Sequence, residues 1–186
     1  MKANFLFWII LIVLSSMMFQ GYQCGSTEMT SAKLYIQQKN YDAAIKNLEG
    51  EVQKNPGNEE AWYLLGSLKG DKMDYTGMNY AFQQALKLSD KHSVEIRSIR
   101  YNKWGIHLNN GVSYLERASS DSTILFEKSL EEFQKASLAW PDTALTYRYL
   151  GYAYNNKGDY PNALKAFKEA WEKGKDVESL KRAGRI

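Results

Sequence analysis

YRYLGYAYNNKG, residues Tyr147–Gly158, runs straight into DYPNALKAFKEAWEKGK, residues Asp159–Lys175. In the first stretch Tyr147, Leu150, Gly151 and Tyr154 recur at intervals of three and four. Ala163, Phe167 and Ala170 do the same in the second. Such intervals put side chains on one face of an α-helix. The pair reads as two antiparallel helices. Gly151 and the alanines mark close crossings, where a large side chain would push the helices apart.

The pattern is not unique to this stretch. WYLLGSLKG (62–70) aligns with it through Trp62/Tyr147, Leu65/Leu150 and Gly66/Gly151. Gly66 precedes Phe82 by 16 residues, as Gly151 precedes Phe167. KNYDAAIKNLEGEVQKNP (39–56) and MDYTGMNYAFQQALKLSD (73–90) place Tyr41 and Tyr75 34 residues apart, and Leu48 and Phe82 likewise. LFEKSLEEFQKASLAWP (125–141) repeats against 159–175 with Phe126/Tyr160, Phe133/Phe167 and Ala136/Ala170, again 34 apart. A fixed period of this size means stacked supersecondary units, because one unit cannot bury its own apolar face.

The series W-x2-L-G-x2-Y, A-x3-F, A, P resembles the tetratricopeptide repeat. Residues 142–175 carry it nearly whole in Tyr147, Leu150, Gly151, Tyr154, Ala163, Phe167 and Ala170, and Pro56 and Pro141 take the closing position. The resemblance implies an all-α, right-handed α-solenoid of about four helix-turn-helix units. They cover about 27–58, 59–92, 93–141 and 142–175, with 176–186 as a polar capping tail that could start a short helix. Ala32, Ala44, Ala85 and Ala136 fall at close contacts. Trp62, Phe82, Phe133 and Phe167 are expected between adjacent units.

The third unit departs from the template. HLNNGVSYLERA keeps Gly111 and Tyr114, but His107 stands in the Trp place and Asn110 in the Leu place. Gly66 and Gly111 are 45 residues apart, 11 more than one period. Eleven residues make close to three helical turns and keep the same face inward. SVEIRSIRYNK (93–103) therefore reads as an N-terminal extension, with Ser93 as N-cap and Glu95 in the first turn. A helix from about Val94 to Ala118 would run roughly 36 Å. A six-residue insertion near SSDSTI (119–124) lengthens the following turn. Both insertions are candidate contact ridges, or tolerated surface additions.

The chain holds one cysteine, in FQGYQCGS (19–26). Ahead of it come Lys2 and the apolar run FLFWIILIVL (5–14), continuing to Phe19. That run is short of the about 20 residues of a membrane-spanning helix and has the form of a signal segment over 1–23. The site resembles a bacterial lipoprotein signal, although Gly21 and Gln23 stand where that pattern has Leu and a small residue. The resemblance implies cleavage before Cys24, lipidation of Cys24, and a membrane-attached protein of a bacterial cell envelope, periplasmic or outer-membrane. The alternative is an uncleaved N-terminal membrane anchor. More than one acyl chain gives stable attachment. With a single cysteine the monomer has no internal disulfide.

The formal net charge is +3. Without Lys2 the remainder has 23 basic against 21 acidic residues. That balance argues against a nucleic-acid partner. About 160 residues suffice for one domain burying roughly 70% of its unfolded surface. The two histidines, His92 and His107, have no partner at metal-ligand spacing. There is no G-x-S-x-G, and LLGSLKGDK lacks phosphate-loop spacing. Glu131 and Glu132, beside Lys128 and Lys135, read as solvated-face charges. Arg97, Arg100 and Lys103 recur every three residues and read as a solvated face more than an anion patch. No enzyme, cofactor or small-molecule substrate is expected.

A binding surface remains. In the family the inner groove is lined by the second, fifth, ninth, twelfth and thirteenth positions of each first helix. The resemblance places Met29, Lys33, Ile36 and Gln37 there in unit one. Unit two supplies Glu60, Tyr63, Ser67, Gly70 and Asp71, and unit four supplies Leu145, Arg148, Tyr152, Asn155 and Asn156. Tyr63/Ser67 and Arg148/Tyr152 lack the Lys and Asn of the family's chaperone-tail clamp. The expected function is a non-enzymatic, lipid-anchored adaptor for a protein or peptide partner. The alternative is a structural subunit meeting its neighbours through the extended helix of unit three.

Overall fold

The structure is a computed structural model that describes residues 26–119 and 123–185. The signal segment and Cys24 lie outside the described residues, as do 120–122 of the second insertion. Among the described residues all regular structure is helical: α1 Thr27–Gln37, α2 Tyr41–Lys54, α3 Glu59–Asp71, α4 Tyr75–Leu88, α5 Ser93–Arg117, α6 Thr123–Ala139, α7 Ala144–Lys157, α8 Tyr160–Gly174 and α9 Val177–Ala183. None of these helices is long and apolar enough to cross a membrane. The chain divides into two compact bodies, one ending at Ala61 and one beginning at Trp62.

Three of the tight turns are built alike. A left-handed residue ends the first helix (Lys39, φ 58°; Met73, φ 62°; Gly158, φ 81°). The next residue, Asn40, Asp74 or Asp159, caps the second helix by accepting from the backbone N–H of Ala43, Gly77 or Asn162. Short Asx side chains suit this place because they reach an otherwise orphaned N–H. Only the last turn uses glycine, which adopts positive φ without a steric penalty.

In the first body, α1 and α2 bury Met29, Ala32, Ala44, Leu48 and Val52. Glu51 is 1% exposed. Its carboxylate accepts from Asn58 Nδ2 at 2.7 Å, Asn55 Nδ2 at 3.2 Å, and the Ser26 hydroxyl. Ser26 also caps α1, accepting from Met29 N–H at 3.0 Å. Buried charge costs several kcal/mol unless hydrogen-bonded, so these partners decide whether Glu51 is tolerated.

In the second body one contact recurs. A Cβ on Gly66, Gly111 or Gly151 would lie 2.5, 2.5 or 2.4 Å from the ring of Phe82, Phe133 or Phe167. These rings are at most 1% exposed. They therefore fill the crossing inside a helix pair, not only the space between neighbouring pairs. Phe133 does reach the next pair, stacking on Tyr149 at 5.5 Å. Spacing along the sequence does not say which neighbour a ring meets, so this part of the expectation changes.

The enlarged third pair is present. α5 has 25 residues, about 37 Å, against 13 in α3. It starts one residue earlier than expected. Ser93 is its first helical residue, and His92 holds the N-cap place without a side-chain cap bond. Ser93 N–H is already engaged by the Asp90 carbonyl at 2.9 Å, closing a turn one step upstream. Glu95 lies in the first turn as expected.

Candidate functional site

The fourth pair carries a concavity on the expected groove positions. Tyr152, Asn155 and Asn156, successive along α7, line a pocket of about 520 Å³ with Leu115, Phe167, Arg182 and Arg185. Three and four residues apart, Tyr152 and its two asparagines share a face of α7. Phe167 supports Tyr152 edge-on at 5.6 Å, and the Arg182 guanidinium lies over the Tyr152 ring at 5.4 Å. Arg182 is paired with Glu178 at 2.8 Å. Among the described residues lining the pocket, Arg182 and Arg185 are the charged ones.

Arg148 does not join this pocket. Its Nη1 pairs with Asp176 at 3.3 Å. Asp176 is the N-cap of α9, accepting from Glu178 N–H at 3.2 Å and Ser179 Oγ at 2.8 Å. Arg148 thus fastens the C-terminal helix that delivers Arg182. Arg182 and Arg185 were absent from the expected groove. Their spacing of three was the available signal, but docking of the tail is a tertiary event that repeat spacing does not encode.

The other expected groove residues are more dispersed. Lys33 pairs with Glu60 at 3.0 Å, both about half exposed, a bond worth under about 1 kcal/mol. Gln37 is exposed. Tyr63 is half-buried and stacks on His92 at 4.0 Å, and Ser67 is half-buried. Gly70 is buried against Met78, and Asp71 pairs with Lys103 at 2.8 Å. Lys103 therefore leaves the row formed with Arg97 and Arg100. Arg100 also turns inward, over the Phe82 ring at 5.7 Å.

A polar relay crosses from the second pair to the third. Tyr75 Oη and His107 Nε2 are 2.6 Å apart, and His107 Nδ1 is 2.9 Å from Glu132. Glu132 also accepts from Asn110 at 3.2 Å and pairs with Lys135 at 3.0 Å. Glu132 is therefore not a solvated-face charge as its sequence setting suggested. Burial pushes its carboxyl up, but the hydrogen bonds from His107, Lys135 and Asn110 outweigh that and hold it below the ordinary value. Burial, then the Glu132 charge, raises the Tyr75 hydroxyl. Among the described residues no cluster of His, Cys, Asp and Glu is arranged to hold a metal ion.

Residues 29–68 and 125–176 match the family model described as Tetratricopeptide repeat. The chain is a tetratricopeptide repeat protein. The matched segments leave 69–124 between them, the stretch with α4 and the extended α5. The Arabidopsis thaliana Tetratricopeptide repeat domain-containing protein PYG7, chloroplastic, is 27% identical over 128 residues, 69% of this chain and 38% of that protein. The repeat protein described here thus spans well under half the length of that curated relative. Among solved structures, the thermophilic TPR protein TTC0263 from Thermus thermophilus is 19% identical over 86% of this chain and 80% of its own, with a TM-score of 0.41. YrrB, described as a TPR protein with an unusual peptide-binding site, is 14% identical over 92% and 97%, with a TM-score of 0.40. Tetratricopeptide repeat proteins are generally non-enzymatic scaffolds that bind protein or peptide partners.

Proposed function

We propose that this tetratricopeptide repeat protein is a lipid-anchored scaffold of a bacterial cell envelope that holds an acidic peptide segment of a partner in its fourth repeat. One observation carries the binding part: Tyr152, Asn155 and Asn156 converge with Arg182 and Arg185 on one pocket with no lining carboxylate among the described residues. Tyrosine and asparagine give adaptable contacts at low entropic cost, and arginine pairs with carboxylates in a fixed fork. Support for the anchor comes from sequence order, an apolar run ending just before a lone cysteine. An uncleaved anchor would leave the binding reading unchanged.

The test is crosslinking in the native membrane followed by purification in mild detergent, comparing wild type with Tyr152→Ala/Asn156→Ala. A partner lost from the double variant supports the pocket. A partner retained equally in both overturns it. Cys24→Ser separates the second part: the variant should leave the membrane fraction, whereas an uncleaved anchor keeps it there.

A second reading rests on α5. Val94 and Tyr101 are seven residues apart on one helix face and 75% and 56% exposed. A structural subunit would meet neighbours there, and Val94→Glu/Tyr101→Glu would then break the assembly while pocket variants bind normally.

A further inference from the structure

The charged residues that line the fourth-repeat pocket among the described residues, Arg182 and Arg185, both belong to the C-terminal tail, whereas the neutral walls come from α5, α7 and α8. Arg185 N–H bonds the Arg182 carbonyl at 3.1 Å, which ties the two cations into one turn. Their support is slight. Of the seven residues of α9 only Ser179 is buried. Its hydroxyl is spent within the tail itself, on Asp176 at 2.8 Å. The apolar Val177 and Leu180 are 56% and 47% exposed. A helix this short does not persist by propensity, and a segment with few buried apolar groups belongs to the low-stability end of a fold. Polar contacts join the tail to α7: the Arg148–Asp176 pair at 3.3 Å, and the Arg182 guanidinium 5.4 Å over the Tyr152 ring. The bend leading into α9 also sets Lys175 at φ 52°, a conformation that is costly for a residue with a Cβ.

From this division we infer that α9 is a ligand-coupled clasp: an acidic peptide segment draws it onto the fourth repeat, and its docking is what makes the site select acidic over neutral ligands. This rests on the fourth-repeat pocket being the peptide site and adds how that site is regulated. Glu178 engages Arg182 Nε at 2.8 Å, and the Tyr152 ring backs the guanidinium. That leaves the two Nη groups to meet one carboxylate as a fork. A ligand that touches the tail arginines and the α7 side chains together binds the docked form better than the released one. It therefore shifts the docking equilibrium by that difference in affinity. A neutral ligand that meets only Tyr152, Asn155 and Asn156 has no such preference and shifts nothing. The walls left behind by a released tail carry no charge among the described residues.

The test uses the isotope-labelled full chain in mild detergent and two probes, N-acetyl-Ala-Asp-Glu-Ala-amide and its neutral isostere N-acetyl-Ala-Asn-Gln-Ala-amide. Binding is read from the side-chain amide resonances of Asn155 and Asn156, and docking from hydrogen exchange over 177–183. With the acidic probe at about ten times its Kd, exchange over 177–183 should slow about tenfold. The neutral probe should bind about tenfold more weakly, the scale of one lost charge-assisted hydrogen bond, and leave that exchange unchanged. Arg148→Gln removes the ion pair that holds the tail without altering a pocket wall. It should speed exchange over 177–183 and narrow the affinity gap between the probes. Asp176→Asn weakens the same pair from the tail side if the Arg148 variant folds poorly. An acidic probe that shifts both asparagines but leaves exchange over 177–183 unchanged overturns the clasp and leaves the pocket assignment standing. Equal slowing by the neutral probe overturns it too, since charge would then play no part. An acidic probe that shifts neither asparagine up to millimolar concentration overturns the pocket assignment itself, and the clasp with it.

Discussion

The Tyr75 hydroxyl meets His107 Nε2 at 2.6 Å, joining two helix pairs through a buried hydrogen bond. His107 replaces the aromatic residue of the repeat pattern, and its imidazole spends both nitrogens on partners, Tyr75 and Glu132. Tyr75→Phe keeps the ring and removes one partner. The expected loss is about 1–3 kcal/mol, the cost of a buried nitrogen left unpaired. Thermal unfolding should show it as a Tm several degrees lower, since 1 kcal/mol moves a chain of this size by roughly 2–4 °C.

Glu132 gives the relay a pH dependence. Its folded pKa is depressed, so its stabilising contribution is complete above the unfolded value and is lost as pH falls through the folded one. Wild type should therefore lose stability on acidification below about pH 4. Glu132→Gln removes that titration. Its urea midpoint should fall less steeply than that of wild type over the acid range, and parallel slopes would contradict the assignment.

One substitution should change sign between two glycines. At Gly151 a Cβ would lie 2.4 Å from the buried Phe167 ring. Gly→Ala gains about 1 kcal/mol of helix propensity, but forcing a packed ring aside costs about 1–3 kcal/mol. Gly151→Ala should destabilise, and Gly151→Ala/Phe167→Leu should recover part of the loss. At Gly105, inside α5, the same Cβ meets nothing within 4 Å. Gly105→Ala should stabilise by about 0.5–1 kcal/mol. Paired denaturation curves decide both.

Asp176→Ala should release the last helix. It removes the cap of α9 and the Arg148 ion pair together, a cap alone being worth about 1 kcal/mol. Seven residues do not hold a helix by themselves. Hydrogen exchange should show protection lost over 177–183 and kept in α7 and α8. Peptide binding in the fourth-repeat pocket should weaken as well, because Arg182 and Arg185 would no longer be held beside Tyr152.

The helix pairs were legible because their determinants are local. Gly66 and Gly151 mark each crossing within one unit, although the phenylalanines 16 residues downstream, expected between units, turn out to fill it. The 11 added residues kept their face, so α5 was legible too. Tyr152, Asn155 and Asn156 came from the groove positions of the resembled family, and they line one pocket. What spacing could not carry was contact between distant segments. Glu132 looks solvated until His107, 25 residues earlier, is brought beside it. Arg148 looks like a groove residue until Asp176 arrives from the tail. Arg100 looks like one of a row of surface cations until it turns inward over the Phe82 ring.

The fastening of Ser26 bears on how the protein would sit if Cys24 carries lipid. Ser26 is held by its own hydroxyl, through Glu51 and through the first turn of α1. Two residue steps separate it from Cys24, a reach of at most about 7 Å. Such a tether has no slack. The first helix pair would ride against the headgroups. Spacer residues inserted after Gly25 would lengthen that reach without altering the fourth-repeat pocket.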